Sequence, residues 1–311
     1  MPRRFDTIAL VGRYQTAGVA GTLTEIALFL QARGAQVMLE TGTAAAIGRT
    51  DLPHAPPAGL GEAADLAIVV GGDGTMLGIA RELACFGVPL VGIHHGRLGF
   101  ITDVPLARWR DALNEILDGR YESGARTLLA ARVMRGEQCV FSATALNDVV
   151  VARGGSGRLV EVIVHVDDLY MYTQRADGLI VATPTGSTAY ALSANGPILH
   201  PDLAGIVLAP IAPQSLSNRP IVLPESSCVS IRVDDVRDAM VHCDMQNFTA
   251  LATGDRIVVE RAPCSIEFLH PPGWSYYATL RGKLHWHALP AERDGGARTP
   301  DGADLSADPA T

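Results

Sequence analysis

Leu66-Ala67-Ile68-Val69-Val70-Gly71-Gly72-Asp73-Gly74-Thr75 is the stretch whose reading decides the fold. Five apolar residues in a row read as a strand of a mostly parallel sheet. The run ends in Gly-Gly-Asp-Gly-Thr, and the residues from Met76 to about Phe86 then read as a helix. Glycines lack a Cβ, so an anion can approach their main-chain N–H groups, and the helix presents its positive end to it. Gly71, Gly72, Gly74 and Thr75 are thus a candidate phosphate-donor loop. A carboxylate among them would repel phosphate. Asp73 therefore needs a separate role, either taking a proton from an attacking hydroxyl or helping to hold a divalent cation. A plain strand-to-helix turn with Asp73 as the helix cap would use the same residues.

Working outward, Ile8 to Gly12 reads as a strand, Thr22 to Arg33 as a helix and Gln36 to Leu39 as a second strand. The Pro- and Gly-rich stretch from Asp51 to Gly61 reads as a loop. Pro89 to Gly92 reads as a fourth strand leading into His94-His95-Gly96-Arg97-Leu98-Gly99-Phe100, and Leu106 to Leu117 as a helix. Strands alternating with helices predict an α/β domain over residues 1–125. The texture then changes. Leu128 to Val133, Val140 to Val151, Leu159 to Val166, Ile221 to Val222, Cys228 to Val233 and Arg256 to Val259 are short β-like runs. They predict a β-rich, sandwich-like domain over 126–275. Residues 276–290 are expected to pack back on the body, and 291–311, without apolar periodicity, to be a disordered tail.

A second constellation lies in the β-rich part. Asn147-Asp148 breaks the Val140-to-Val151 run with two polar residues. Asp177-Gly178 opens a segment with hydroxyls at Thr183, Thr185, Ser187, Thr188, Tyr190 and Ser193, which ends in Asn195-Gly196-Pro197. For any single hydroxyl, β-edge or helix-cap polarity is a sufficient account, but it does not predict the whole ordered string. Two glycine- and hydroxyl-rich segments around one carboxylate point to phosphoryl transfer between nucleotides.

The Gly-Gly-Asp-Gly-Thr loop and the Asp177-to-Ile198 segment together resemble the bacterial NAD kinase (ATP/polyphosphate-NAD kinase) family, over roughly Ile8 to Trp286. The resemblance implies a fold of the NAD kinase-like/diacylglycerol kinase-like superfamily. It implies transfer of the terminal phosphoryl group of ATP to the 2′-hydroxyl of the adenosine ribose of NAD, giving NADP and ADP. Polyphosphate stands beside ATP as a candidate donor, a choice the resemblance leaves open. The divalent cation, Mg²⁺, is carried mainly on the ATP phosphates, with no separate metal site. By the same resemblance Asp73 is the catalytic aspartate and Gly74 its binding neighbour. Asn147 and Asp148 hold the NAD ribose, Arg158, Arg175 and Asp177 line the dinucleotide site, Thr188, Ala189, Tyr190, Ala191, Leu192 and Ser193 surround the nicotinamide side, and Gln246 is a late contact. Homodimers or homotetramers are implied, with the pocket near a subunit interface. The turn after the fourth strand departs from the family's Gly-Ile-Asn pattern, with His94 in place of Asn. That makes the turn more basic, through His95 and Arg97 as well; a more anionic donor such as polyphosphate would suit it, but neutral drift at a hydrogen-bonding turn is the preferred reading. Asn195, where glycine is common, tolerates left-handed geometry.

Composition removes other classes. The chain has 311 residues, 48% hydrophobic and 19% charged, with a net charge of −8. No basic field draws nucleic acid or anionic membrane to it. No apolar stretch approaches the ~18 residues that span a bilayer, and a cytoplasmic protein is expected. Lys283 is the single lysine, so a P-loop lysine is excluded and cationic phosphate contacts fall to arginine. No G-x-G-x-x-G follows the first strand, which argues against a Rossmann dehydrogenase. Five scattered cysteines, with no C-x-x-C, are expected to be free thiols. His285-Trp286-His287 would put two imidazoles on one face of a strand, short of a metal site without a third ligand.

Overall fold

The computed structural model describes residues 5–12, 18–96, 98–155, 158–235 and 238–286. Its first part alternates strands and helices in chain order: β1 (Thr7–Gly12), α1 (Val19–Ala32), β2 (Gln36–Glu40), α2 (Thr41–Ile47), β3 (His54–Ala55), α3 (Pro57–Ala63), β4 (Leu66–Gly71), α4 (Asp73–Leu83), β5 (Leu90–His94), β6 (Val104–Pro105) and α5 (Trp109–Leu117). β5, β4, β1, β2 and β3 lie side by side in parallel. Side chains alternate across this layer as a strand's period of two requires. Ile8, Leu10, Leu66, Ile68 and Val70 join the core under α1 and α5, while Ala9, Val11, Ala67 and Val69 join the core under α3 and α4. Burial on both faces is why the sequence runs apolar without a break.

Strands dominate the remainder: β7 (Glu122–Arg135), β8 (Gln138–Ala145), β9 (Asp148–Arg153), β10 (Val160–Val166), β11 (Leu169–Ala176), β12 (Gly178–Ala182), α6 (Tyr190–Ser193), β13 (Gly205–Ile211), β14 (Ile221–Pro224), β15 (Val229–Asp235), β16 (Ala239–Cys243), β17 (Asn247–Leu251), β18 (Arg256–His270) and α7 (Tyr276–Leu284). One sheet, β14-β13-β12-β9-β16-β17, is antiparallel throughout. It packs face to face on the other, sharing a core that includes Leu129, Val149, Val162, Val181, Ile231 and Ile257. The long β18 joins the two halves. Its first residues pair with β15, its last pair in parallel with β5 at Phe268, and β7 runs along both. α7 packs back, with Tyr276 Oη donating to the Leu199 carbonyl and Lys283 Nζ to the Leu98 carbonyl.

Three expectations are corrected. Residues 51–61 are not a plain loop; they hold β3 and the start of α3, which has Pro57 at its first position, where a missing N–H costs nothing. The cysteines are not all free, because Cys85 and Cys264 form a disulfide across 179 residues of sequence, where the turn after α4 meets β18. Cys139, Cys228 and Cys243 are free. His285 caps the C-terminus of α7 at φ 55° rather than lying on a strand, and His287 is outside the described residues. Arg97, Ser156, Gly157 and the tail 291–311 are outside them too. No helix among the described residues is long and apolar enough to cross a membrane.

Candidate active site

Asp73 is the first residue of α4, and it does not cap the helix; the N-cap is Gly72, in extended conformation. Its carboxylate turns instead to the chain after β5. Oδ2 accepts from the Phe100 amide at 2.8 Å, while Oδ1 accepts from Thr102 Oγ1 at 2.9 Å and the Ile101 amide at 3.3 Å. Gly99 makes this approach possible, since a Cβ there would lie 2.0 Å from Asp73 Oδ1. Gly71 is needed for a different reason, because its Cβ would press on Thr75 Oγ1 at 2.8 Å. Gly72 and Gly74 face open space. The amides of Asp73 and Gly74, at the first two helical positions, have no intrahelical acceptor. An anion could take both, as the glycines suggest.

Asn147 and Asp148 sit at the break between β8 and β9, and what shapes that break is Asp244, a residue the sequence reading passed over. Its wholly buried carboxylate accepts from three successive amides, Leu146 (2.9 Å), Asn147 (2.7 Å) and Asp148 (3.1 Å). It also pairs with Arg81 Nη1 of α4 at 2.7 Å. Asp244 and Met245 both have positive φ, 51° and 55°. Arg81 Nη2 donates to Gln246 Oε1 at 2.6 Å, and Gln246 Nε2 donates to the Gly74 carbonyl at 2.9 Å. The Gly71–Thr75 loop and the Asn147-Asp148 turn are thus one hydrogen-bonded unit, bridged by Arg81, Asp244 and Gln246. A cleft of about 610 Å³ opens beside it, lined in part by Gly12, Gly42, Gly74, Thr75, Arg81 and Gln246.

Burial raises the Asp148 carboxyl to about 7, helped by the charge of Asp244 and opposed by the Tyr190 amide. The unfolded carboxyl titrates near 3.9. The native state therefore holds the extra proton, so stability falls as pH rises from about 4 to about 7 and the loss is complete above that. Asp148→Asn should flatten this slope. Melting temperatures between pH 5.5 and 8 should fall for the parent and stay nearly level for the variant; parallel curves would place the titration elsewhere.

The hydroxyl-rich segment is largely internal scaffolding. Thr183 Oγ1 donates to the Leu146 carbonyl and accepts from the Gly186 amide, and the Thr183 amide donates to the Asn147 carbonyl. Gly186 has no room for a side chain, as its Cβ would lie 1.9 Å from the Asn147 oxygen. Ser187 Oγ bridges Pro184 and Leu199, and Thr188 Oγ1 donates to the Thr185 carbonyl. After Thr185 the chain forms a short 3-10 turn over Gly186–Thr188 followed by α6. Ala191 is buried, and Ala189 and Leu192 are half-buried. Tyr190 and Ser193 open onto a cleft of about 860 Å³ with Asn195, Leu216 and Arg219. Asn195 takes φ 61°, the left-handed geometry expected of it.

The three remaining residues stand apart. Asp177 pairs with Arg153 at 2.5 Å, and Arg158 is exposed between β9 and β10. Arg175, on the edge strand β11, pairs with Glu161 at 2.5 Å and lines a groove that meets the Tyr190 cleft at Ser215. His94 is buried and turned inward, its Nδ1 3.0 Å from the Gly96 carbonyl.

A helix end with open amides, a fixed carboxylate beside it and a second polar turn locked to it suit transfer of a phosphoryl group to a hydroxyl. With an α/β layer continuing into a β-sandwich, they define a kinase of the NAD kinase-like/diacylglycerol kinase-like superfamily. The model of the ATP-NAD kinase N-terminal domain matches residues 8–121, and that of the ATP-NAD kinase C-terminal domain matches residues 146–270. The chain belongs to the ATP-NAD kinase family. It is 57% identical over 288 residues to an NAD kinase of Cupriavidus pinatubonensis, covering 93% of this chain and 94% of the relative. It is 55% identical to an NAD kinase of Ralstonia nicotianae, covering 93% and 95%. Among solved structures, an Archaeoglobus fulgidus NAD kinase in complex with ATP aligns with TM-score 0.71 at 26% identity, over 90% of this chain and 98% of that one. Yeast NADH kinase complexed with NADH shares the fold, with TM-score 0.85 at 24% identity, over 92% and 89%.

Proposed function

We propose that Asp73 receives the acceptor hydroxyl while the open end of α4 receives the donor phosphates. The reaction is transfer of the terminal phosphoryl group of ATP to the 2′-hydroxyl of the adenosine ribose of NAD, giving NADP and ADP. The observation that carries the assignment of roles is the hydrogen bonding of Asp73. A carboxylate offers about four acceptor positions; two at Oδ1 and one at Oδ2 are taken by the loop. One lone pair on Oδ2 is left for a substrate O–H. A ribose hydroxyl is too weak an acid to be deprotonated outright, so Asp73 orients it and takes its proton late, as its oxygen bonds to phosphorus. The amides of Asp73 and Gly74 offset charge on the transferring group.

Asn147, whose side-chain amide has no partner among the described residues, and Asp148 hold the ribose. Tyr190 and Ser193 line the nicotinamide side, with Arg175 and Asp177 further out. Among the described residues no three carboxylate, imidazole or thiolate groups gather as a metal cage. A divalent cation fits here as part of the substrate, carried on the ATP phosphates. Exposed apolar residues at the two edges of the antiparallel sheet, Ile221 and Val222 on β14 and Phe248 on β17, with Leu216 89% exposed beside the Tyr190 cleft, support assembly as a homodimer or homotetramer.

The test is NADP formation from NAD and Mg²⁺ with ATP or polyphosphate as donor. Product with ATP is expected, and none with either donor would sink the reading. Because His94 points inward, His94→Asn should leave the ratio of the two donor rates within about twofold; a change of tenfold or more would make the turn a donor contact.

A further inference from the structure

The loop that grips Asp73 is itself held at both ends by side chains. At one end Lys283 Nζ donates to the Leu98 carbonyl at 2.6 Å. At the other, Asp103, which directly follows Thr102, places Oδ2 2.7 Å from His270 Nδ1, and both side chains are nearly dry, 6% and 4% exposed. A carboxylate only accepts, so Nδ1 carries the proton and donates. His270 is the last residue of β18, set by pairing with Glu122 of β7. Its ring lies flat against Trp274, 3.8 Å between centroids and 6° between planes. His270 Nε2 and Trp274 Nε1 are both buried without a partner among the described residues. A buried polar atom left unpaired is costly, so this stack is poor as mere filling of space. What the imidazole does well is present one fixed N–H to Asp103.

We propose that the Asp103–His270 pair is the positioning element for Asp73. It ties the Gly99–Thr102 loop to the central strand β18, and the loop's three donors then fix the direction of the free Oδ2 lone pair. The inference rests on Asp73 facing the acceptor hydroxyl. Without the tie the nucleotide contacts are untouched, but the Asp73 carboxylate is aimed less well. A misplacement of about 1 Å at a reacting group can cost about 10²-fold in rate. The signature is therefore a fall in kcat with KM unchanged.

The test compares His270→Ala, His270→Gln and His270→Asn in steady-state kinetics with Mg·ATP and NAD, alongside their melting temperatures. Asn places an N–H where Nδ1 stood, whereas Gln places it nearer Nε2. The Ala and Gln variants should lose about 10- to 100-fold in kcat, with both KM values within about twofold of the parent. The Asn variant should return to within about threefold of parental kcat. Parental kcat in the Ala variant, equal loss in Ala and Asn, or a loss confined to KM would overturn the proposal. If His270→Ala does not fold, Asp103→Ala leaves the imidazole–indole stack in place and should show the same kcat loss; parental kcat there would overturn it equally. Asp73→Asn separates the two readings. An inactive Asp73→Asn beside a normal His270→Ala removes only the positioning role, and an active Asp73→Asn removes both.

Discussion

Asp73→Asn should lower kcat by about 10²- to 10⁴-fold, the range that general-base help supplies, while NAD affinity stays within about threefold of the parent. The hydrogen bonds around Asp73 say why the two should part. Phe100 offers only an N–H to Oδ2, whereas Thr102 Oγ1, facing Oδ1, can accept as well as donate. The asparagine should place its NH₂ toward Thr102, giving up the longer Ile101 amide contact at 3.3 Å, and keep its carbonyl oxygen on the Phe100 side. That oxygen retains a lone pair for the ribose hydroxyl, so the acceptor still binds. An amide oxygen is a far weaker base than a carboxylate, so the proton has nowhere to go when the oxygen bonds to phosphorus. Calorimetric titration with NAD and single-turnover NADP formation measure the two halves separately. Near-normal kcat would mean that Asp73 is not the base. Normal chemistry with lost NAD binding would mean that it is a ribose contact only.

The strands and helices of the first half were legible in the sequence because each is buried on both faces or along one stripe, so β1, β2, β4, β5 and the helix after Gly72 fall within a few residues of their expected bounds. The second half was less so. β11 reads Leu-Tyr-Met-Tyr-Thr-Gln-Arg-Ala and lies at an edge, largely exposed, so no apolar signal marks it; β13 contains Pro210. Residues 51–61 looked like a loop because proline and glycine mark turns, yet Pro57 begins a helix at the one position that suits it. Asp73, Gly74, Asn147 and Asp148 stood out locally and Gln246 came with the family resemblance; the fold joins Gly74, Asn147, Asp148 and Gln246 in one network with Asp73 next to it. Asp244 did not stand out. Its importance lies in an arginine 163 positions earlier and in three amides about a hundred positions earlier. The Cys85–Cys264 bond and the Asp103–His270 pair were hidden in the same way, by sequence separations of 179 and 167. Local chemistry is written in motifs; the partners that hold it in place are set by strand order.

Asp244→Ala should be the most destabilising single change near the site, by about 3–5 kcal/mol, because removing one partner of a buried ion pair strands the other. Arg81 is only 7% exposed and would lose its one carboxylate partner among the described residues, where its Nε already lacks a partner. The amides of Leu146, Asn147 and Asp148 would lose their acceptor together. Against a typical total stability of about 5–15 kcal/mol, that is a large share, and chemical denaturation should show it. Function should fail in a different manner from Asp73→Asn, as the turn presenting Asn147 and Asp148 loosens and KM for NAD rises at least tenfold. Asp244→Asn, which keeps one acceptor and roughly the same shape, should lose less on both counts and remains measurable if the alanine variant does not fold. The decisive comparison is the double variant Arg81→Ala with Asp244→Ala. Stranded charge predicts that removing Arg81 as well recovers part of the loss, so the two effects add to less than their sum. Strict additivity would mean that Asp244 acts only through the three amides. The bridge from α4 to the Asn147-Asp148 turn would then run through Gln246 alone.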